Sequence, residues 1–268
     1  ILWLVFALCM IASWLGPRRR WTQAVRSSFA SPFRKLFQNY LLAMPILANM
    51  LLFAVVTVMD LQESYGIPSG SISLPNPFLG LIDLSYAAVV EEFAFRIAPI
   101  GLIVFLRILA TPAPSGSKTR RLAWAFLNPE EAKSRSGLYG IAEKGLVRGL
   151  SIYEWGMLVL SALVFAWAHL LAGIGWQAGK LTTAFISGIC FGLVYLYYGA
   201  PGPILLHWHF NYYGSVFGFA VEVYGQQLSS LAYLQDLVAN GTGALAWLTV
   251  SLYLFLKAFS RRRPTPRL

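Results

Sequence analysis

The feature that most limits the fold of this chain is a series of long apolar stretches separated by short polar or basic segments. Their approximate positions are residues 1–16, 40–59, 79–109, 151–174, 181–199, 203–223 and 242–259. Each is close to the roughly 20 residues that an α-helix needs to cross a bilayer. The stretches are continuous, whereas the strands of a membrane barrel alternate apolar and polar residues. They predict an all-α polytopic membrane protein with about seven transmembrane helices.

The composition agrees with this fold class. Of the 268 residues, 57% are hydrophobic and only 12% are charged, whereas soluble domains carry roughly 25% charged residues. Seven spans and their connections use nearly all of the chain, so we expect residues 1–268 to form a single integral membrane domain. The net charge of +10 arises from Lys and Arg beside apolar runs. This placement indicates contact with anionic lipid headgroups and excludes a nucleic-acid partner.

The distribution of Lys and Arg also predicts an orientation, because cytoplasmic loops carry an excess of these residues. Most of them lie in three segments: 17–39, 107–150 and the tail from Lys257. The other long connections contain only Lys180: 60–78, 175–180 and 224–241. With seven spans the two groups alternate, which predicts an external N-terminus and a cytoplasmic C-terminus in a cell membrane. The long connection at about 110–150 is then cytoplasmic.

Two features near the start of the chain complete the membrane prediction. Arginines follow the first apolar run instead of preceding it, which is the reverse of a cleavable signal peptide, so we expect a first span there. Residues 21–37 place Trp21, Val25 and Phe29 at four-residue spacing among basic side chains. This pattern predicts a basic helix lying at the membrane interface.

Ionisable side chains inside the apolar runs are the best candidates for functional residues. Each costs a few kcal/mol or more at bilayer depth, so its presence calls for a chemical reason. They occur in four places: "EEFAFR" at 91–96, "FAWAH" at 165–169, "HWHFN" at 207–211, and Glu154. Glu154 adjoins the polar connection 110–150, and we expect it to be a solvated carboxylate at the interface.

The two adjacent carboxylates at 91–96 are predicted to face in different directions. On an α-helix Glu92 and Arg96 are four residues apart and share a face, with the acid in the better, N-terminal position. Glu91 points about 100° away from Glu92. One carboxylate can therefore be neutralised by Arg96 while the other faces elsewhere and acts as a general base. The alternative is a single ion-pair cluster of all three side chains that holds helices together.

The histidines form similar pairs. His207 and Asn211 are four residues apart and present an imidazole and an amide on one helix face, as do Phe165 and His169. Interhelical hydrogen bonding is a structural alternative for each histidine, and for His169 taken alone it is the more common role. His209 points to nearly the opposite side, and we expect it to serve in packing or in supporting the site.

Together these motifs resemble a known family. Glu-Glu-x-x-x-Arg, Phe-x-x-x-His and His-x-x-x-Asn follow one another on three predicted helices, within "VVEEFAFR", "LVFAWAHL" and "PILLHWHFN". This order is similar to that of the CAAX endopeptidase and bacteriocin-processing (CPBP, or Abi) family of intramembrane proteases, which includes the Ras-converting CAAX endopeptidase. The resemblance covers about residues 85–213. It places the motif-bearing core at about 79–223.

The resemblance implies a role for each motif residue. Glu91 would activate water, with His169 holding that water or passing on its proton. His207 and Asn211 would stabilise the oxyanion on the scissile carbonyl. Glu92 and Arg96 would form the supporting ion pair, in agreement with the helix geometry. Peptide hydrolysis by a base and oxyanion donors requires no Ser or Cys nucleophile and no cofactor.

Zinc is an alternative for the same residues. One Glu and two His form a known catalytic ligand set, which here would be Glu91, His169 and His207. The chain lacks the His-Glu-x-x-His helix of common zinc peptidases, and we therefore prefer the metal-independent mechanism. Glu91 and His169 fall in the middle or outer half of their predicted spans, whereas His207 soon follows the cytoplasmic "GAPG" at 199–202. The face on which the site opens is thus left undetermined by the sequence.

The leading functional hypothesis is an endopeptidase that cuts a membrane-associated polypeptide near its C-terminus, with or without a prenylated, CAAX-like end. A proton-coupled transporter with Glu91 and the histidines as its relay is a second hypothesis. A catalytically silent membrane scaffold is a third. A scaffold would have no chemical need for Glu91, His169, His207 and Asn211 together. The sequence does not specify the substrate or the oligomeric state.

Overall fold

A computed structural model describes residues 1–16, 19–29, 33–72, 76–112 and 118–260, and its regular elements are helices. The first half contains α1 (Leu2–Leu15), α2 (Trp21–Phe29), α3 (Tyr40–Ser64), α4 (Pro77–Glu92) and α5 (Ala98–Ala110). The second half contains α6 (Lys118–Leu127), α7 (Pro129–Ser134), α8 (Ile141–Gly149), α9 (Ile152–Leu171), α10 (Gly179–Tyr198), α11 (Pro201–Tyr224) and α12 (Ser229–Ser260). Short 3₁₀ helices cover Phe33–Gln38 and Gln226–Leu228. The all-α prediction is confirmed.

Five helical segments are long and apolar enough to cross a membrane: Tyr40–Ser64, Pro77–Ala110, Ile152–Leu171, Gly179–Tyr198 and Gln226–Ala258. The protein is therefore a polytopic membrane protein. The two remaining predicted spans correspond to α1, a shorter apolar helix, and to α11, which is long but carries His207, His209 and Asn211. The basic segment after α1 is helical over α2, as predicted, and its position at the membrane interface stays a prediction.

Helix α10 is the centre of the packing. In the most apolar 18-residue stretch of α10, 50% of the residues are buried inside the protein, compared with 11% for the segment that contains α12. It packs along α9 and also contacts α3 and α11. Around it, α4 lies along α11, and α12 lies along α3. The helices that carry the three sequence motifs are thus direct neighbours or share α10 as a neighbour.

The segment Pro77–Ala110 is one continuous helical rod with an irregular middle. Asn76 caps its start by accepting hydrogen bonds from the backbone of Phe78 and Leu79, and Pro77 occupies the first turn. Residues Phe93–Ile97 form a π-helix between α4 and α5. Such wider turns inside α-helices often occur at functional sites. Here the π-helix begins directly after Glu91 and Glu92.

Glu154 is buried, so the expectation of a solvated carboxylate is wrong. It is 0% exposed and pairs with Arg107 at 2.7 Å and with Lys133 at 3.0 Å. It also completes a capping box with Ser151 at the start of α9. The connection 110–150 contains α6, α7 and α8, and the buried Lys133 side chain from α7 covers the start of α9. This packing, invisible in the local sequence, removes Glu154 from water.

One end of the helix bundle carries the basic connections, and we call it the basic end. It contains the connections between α1 and α3, between α5 and α9, and between α10 and α11. The Ala200 amide donates a hydrogen bond to the Leu127 carbonyl at 2.9 Å. The Tyr198 hydroxyl donates to the Phe37 carbonyl at 2.7 Å. These bonds place the three connections together.

The opposite end, which we call the uncharged end, carries the connections 65–76, 172–178 and 225–228. None of these contains a charged residue. Gly70 and Trp176 form an isolated antiparallel bridge, and the Gln177 amide donates to the Ser69 carbonyl at 3.0 Å. Helix α11 starts at the basic end and has 24 residues, which corresponds to a length of about 36 Å. The turn that follows it therefore lies at the uncharged end.

Candidate active site

A single cavity of about 1060 Å³ brings together the four residues predicted to be catalytic. Glu91 from α4, His169 from α9, and His207 and Asn211 from α11 all line it. These residues are separated by up to 120 positions along the chain. Their convergence depends on the packing of α4 along α11 and of α9 and α11 against α10.

The adjacent carboxylates have different environments, as the helix geometry predicted. The Glu91 side chain lines the cavity and is 31% exposed, whereas the Glu92 side chain is 0% exposed. Glu92 Oε1 lies 3.1 Å from Arg96 Nη1, and Arg96 is equally buried. The predicted ion pair between Glu92 and Arg96 is present, and the alternative of one cluster that includes Glu91 is not what the structure contains.

Glu92 has a second partner that the sequence did not indicate. His207 Nδ1 donates a hydrogen bond to the same Oε1 atom of Glu92 at 2.7 Å. This bond orients the imidazole and directs Nε2 toward Glu91, whose Oε2 lies 3.7 Å away. That separation exceeds a direct hydrogen bond. Both atoms are therefore available to a third group, such as a water molecule or a carbonyl oxygen.

Aromatic rings enclose the buried charges. The Arg96 guanidinium lies 3.9 Å from the centroid of the Phe165 ring and 5.3 Å from that of Phe191. Phe191 also stacks on His207, with centroids 4.8 Å apart and ring planes 20° apart. Stacking on the faces of aromatic rings stabilises a guanidinium that has left water. Phe165 and Phe191 thus hold Arg96 and His207 in a fixed arrangement around Glu92.

The π-helix and a glycine allow this close packing. A carbonyl within the π-helix, that of Phe95, accepts a hydrogen bond from the Ser161 hydroxyl of α9. Gly188 on α10 faces the same region, where an added Cβ would lie 3.0 Å from Ala162 and 3.2 Å from Arg96 Nη2. Only a residue without a side chain fits there without displacing its neighbours.

The side chains of His169 and Asn211 each donate one hydrogen bond to a backbone carbonyl, and each has a second polar group that can bind another partner. His169 Nδ1 donates to the Phe165 carbonyl at 2.8 Å, which leaves Nε2 as the acceptor nitrogen of a neutral ring. Asn211 Nδ2 donates to the Leu84 carbonyl at 3.1 Å and has a second N–H. The His169 bond lies within α9, so it is not the interhelical contact that was its structural alternative, and the side chain lines the cavity.

Comparison with protein families matches residues 73–213 to the family described as "Type II CAAX prenyl endopeptidase Rce1-like". The match covers more than half of the chain and includes all three motifs. The chain belongs to the Rce1-like family. Comparison with curated proteins gave no match, and comparison with solved structures gave none. Membership in this Rce1-like family of type II CAAX prenyl endopeptidases implies an intramembrane protease that acts on a polypeptide.

In this Rce1-like chain the alternative zinc ligands are not arranged as a metal site. Among the residues that the structure describes, no group of three or more His, Cys, Asp or Glu side chains could hold a metal ion. His207 uses Nδ1 for Glu92, and His169 uses Nδ1 for a backbone carbonyl. Both hydrogen bonds leave Nε2 of the ring for another partner, which is the usual arrangement of a metal-binding histidine, so zinc stays an alternative, and we derive no step through a metal.

Several residues of this Rce1-like cavity were missed by the sequence motifs. Lys180 is the one Lys or Arg among its described lining residues, and its Nζ lies 3.7 Å from the centroid of the Trp176 ring. Phe191 is not among the described lining residues but stacks on His207, and it also belongs to no motif. His209 does not line the cavity and instead contacts the Tyr213 ring at 6.2 Å, so its supporting role stays a prediction. Lys180 is the one charged residue of α10, but no local pattern places it in the cavity, and none distinguishes Phe191 from the other aromatic residues of that helix.

Proposed function

We propose that the protein is an intramembrane endopeptidase that hydrolyses a peptide bond with a glutamate-activated water. The observation that carries this proposal is the convergence of Glu91, His169, His207 and Asn211 on one cavity in a member of a protease family. A base for water and two donors for the carbonyl oxygen are the groups that the reaction needs.

In the proposed reaction Glu91 takes a proton from water, and His169 Nε2 accepts a hydrogen bond from the same water. The water oxygen bonds to the scissile carbonyl carbon, and the π electrons of the C=O bond move to its oxygen. When the resulting intermediate collapses, the C–N bond breaks and the proton on Glu91 passes to the leaving nitrogen. The products are a carboxylic acid, which then releases its proton to solvent, and an amine.

The oxyanion is stabilised by His207 and Asn211. Asn211 offers its second Nδ2–H. His207 already donates Nδ1–H to Glu92, so donation from Nε2 requires the doubly protonated ring, which lies between the carboxylates of Glu92 and Glu91. Arg96 in turn holds Glu92 in place. Glu92 and Arg96 are positioning residues in this scheme, because they act through His207.

We propose no metal or other cofactor for this reaction. The zinc alternative makes a different prediction, since zinc would then be required for turnover. A strong chelator should leave activity unchanged in the glutamate mechanism. Activity that disappears with the chelator and returns only with added zinc would establish the metal mechanism instead.

The proposed substrate is a membrane-associated polypeptide cut near its C-terminus, and the bilayer with its anionic headgroups is the second partner. The family description names CAAX prenyl endopeptidases, and a prenylated C-terminus is one candidate substrate. Paired peptides with and without a farnesylated cysteine will determine whether the lipid is required. We also propose the orientation that the charge distribution predicts, with an external N-terminus and a cytoplasmic C-terminus.

The test compares purified native protein with Glu91→Gln, using quenched fluorescent peptides and mass spectrometry of the products. Removal of the general base should lower kcat/KM by about 10²- to 10⁴-fold. Glu222→Gln is a matched control, because Glu222 lines the same cavity but lies near the uncharged end of α11. Cleavage that survives in Glu91→Gln would refute the proposal. Proton or solute flux in liposomes without cleavage would establish the transporter alternative.

A further inference from the structure

Lys180 is a cation in a cavity whose other charged lining residues are acidic. The described lining residues include three carboxylates, Asp83 and Glu91 on α4 and Glu222 on α11. Lys180 is half-buried and lies on another helix, at the start of α10. Its charge interacts with that of Glu91, but none of the ion pairs between described residues contains Lys180. An ionisable side chain in an apolar helix is costly, so the cation calls for a function.

The position of the Lys180 ammonium group is fixed by Trp176. Lys180 Nζ lies 3.7 Å from the centroid of the Trp176 ring, which is a cation–π contact. Trp176 is itself held by an isolated antiparallel bridge to Gly70. The Gly179 amide at the start of α10 donates a hydrogen bond to the Pro68 carbonyl at 2.9 Å. Because the ring and the start of α10 are both tied to the connection between α3 and α4, the cation needs little further ordering when it binds an anion.

The cation is also close to the candidate catalytic residues. The ring centroids of Trp176 and His169 are 6.4 Å apart, and Lys180 Nζ is 3.7 Å from the first of them. Lys180 Nζ is therefore at most about 10 Å from the His169 ring, which is the length of about three residues of extended chain. In the proposed reaction the scissile carbonyl lies one water molecule beyond His169. A substrate group bound by Lys180 thus belongs within about four residues of the scissile bond.

We propose that Lys180 binds the C-terminal carboxylate of the substrate, and that this contact limits the released fragment to about four residues. A lysine ammonium forms a charge-assisted hydrogen bond with a carboxylate. The side chain of a substrate Asp or Glu offers the same group, and the experiment below distinguishes the two sources. The fragment length rests on the proposed peptidase function, whereas the binding of a carboxylate at Lys180 does not.

The test uses purified protein and pairs of peptides that differ only in a free or an amidated C-terminus. Native protein should cleave the acid member with a kcat/KM about 10- to 100-fold higher, the range of a hydrogen bond between charged groups. Lys180→Met should bring this ratio close to one, whereas Lys180→Arg should keep most of it. The control is Lys144→Met, which alters an exposed lysine of α8 and should keep the native ratio. A native ratio of one, or the native ratio in Lys180→Met, would overturn the proposal.

Reversal of the charge separates recognition from a general disturbance of the fold. Lys180→Glu should cleave peptides that end in a cationic aminoethylamide faster than the acid peptides, which is the reverse of the native preference. Equal slowing of both kinds of peptide would contradict a charge contact at this position. An amidated peptide whose last residue is Glu tests the second source of the carboxylate. If it is cleaved as fast as the acid peptide, and only when Lys180 is present, Lys180 binds an acidic side chain and the proposal fails.

Mass spectrometry of the products measures the fragment length. Fragments released from acid peptides should contain no more than about four residues, and equally efficient release of longer fragments would refute the limit. Cleavage that depends on Glu91 but is equal for acid and amide peptides refutes the role of Lys180 and leaves the peptidase function intact. If native protein cleaves no peptide, the peptidase function fails, and fluorescence anisotropy of labelled peptides then decides the carboxylate contact. Tighter binding of acid peptides by native protein than by Lys180→Met supports that contact, and equal binding refutes it.

Discussion

Glu92 pairs with Arg96 and also accepts a hydrogen bond from His207, and replacement of Glu92 by Gln separates these two roles. The amide keeps the shape of the side chain and can still accept the hydrogen bond from His207, but it removes the negative charge. Arg96, which is 0% exposed, then has no anionic partner. Breaking a buried ion pair by removing one charge costs about 3–5 kcal/mol, so the free energy of unfolding should fall by that amount.

The Glu92→Gln replacement should affect catalysis through His207. Without the Glu92 charge, the doubly protonated His207 ring is no longer balanced, and its Nε2–H donor is lost. Removal of one oxyanion donor lowers kcat by about 10²- to 10³-fold in other hydrolases. The KM value should change little, because the donor acts on charge that develops in the transition state.

The double variant Glu92→Gln/Arg96→Met distinguishes these effects. Replacing both members of a buried pair with groups of similar volume is often neutral for stability, so unfolding should return close to that of native protein. The kcat value should stay low, because His207 still lacks its counter-charge. The assays are SDS unfolding in mixed micelles and peptide turnover. Native stability in the single variant, or recovery of kcat in the double variant, would refute this account of Glu92.

Three further variants test other parts of the structure. Gly188→Ala places a Cβ 3.0 Å from Ala162 and should lower the free energy of unfolding by about 1–3 kcal/mol. The control is Gly156→Ala, where nothing lies within 4 Å of the added Cβ. This variant should raise the free energy of unfolding by up to about 1 kcal/mol. Lys180→Met removes the one Lys or Arg among the described lining residues. It should raise KM for peptides with a free C-terminal carboxylate more than KM for amidated peptides. Lys180→Arg should preserve the difference in KM between the two kinds of peptide that native protein shows. Lys133→Met removes a charged partner of the buried Glu154 and should cost about 1.5–3 kcal/mol of stability.

Each of these expectations has a clear contrary result. Equal stabilisation by alanine at positions 188 and 156 would mean that α9 and α10 do not approach closely at Gly188. The same KM for acid and amide peptides in native protein would remove any role of Lys180 in anion binding. For Lys133 the control is Lys144→Met, an exposed lysine of α8. Equal stability of the two Lys variants would contradict the burial of the pair with Glu154.

Much of the helical architecture could be predicted because it depends on local patterns. Apolar runs of span length predict the positions of the membrane helices, and four-residue spacing predicts that Glu92 pairs with Arg96. The different directions of Glu91 and Glu92 follow from the same helical geometry. These properties need no knowledge of which helices are neighbours.

The features that the sequence missed all depend on contacts between distant helices. Glu92 and His207 are 115 residues apart, and their hydrogen bond exists only because α4 packs along α11. Burial of Glu154 requires Lys133, which belongs to the long polar connection at about 110–150. Lys180 lies in the cavity because of where α10 begins. A single sequence contains no signal for such pairings, whereas the family motifs supplied the grouping of Glu91 with the histidines.

The π-helix at Phe93–Ile97 has a consequence for how one rod can serve two sets of neighbours. Helix α4 contacts α11, whereas α5 contacts α6 and α9. A π-turn inserts an extra residue into the helical repeat, so the faces before and after it are rotated relative to an uninterrupted α-helix. The direction in which Glu91 points around the helix axis, toward the cavity, is therefore independent of the direction in which Arg107 points, toward Glu154. Substitutions that reshape the cavity wall can therefore accumulate on α4 without twisting α5 out of its own contacts.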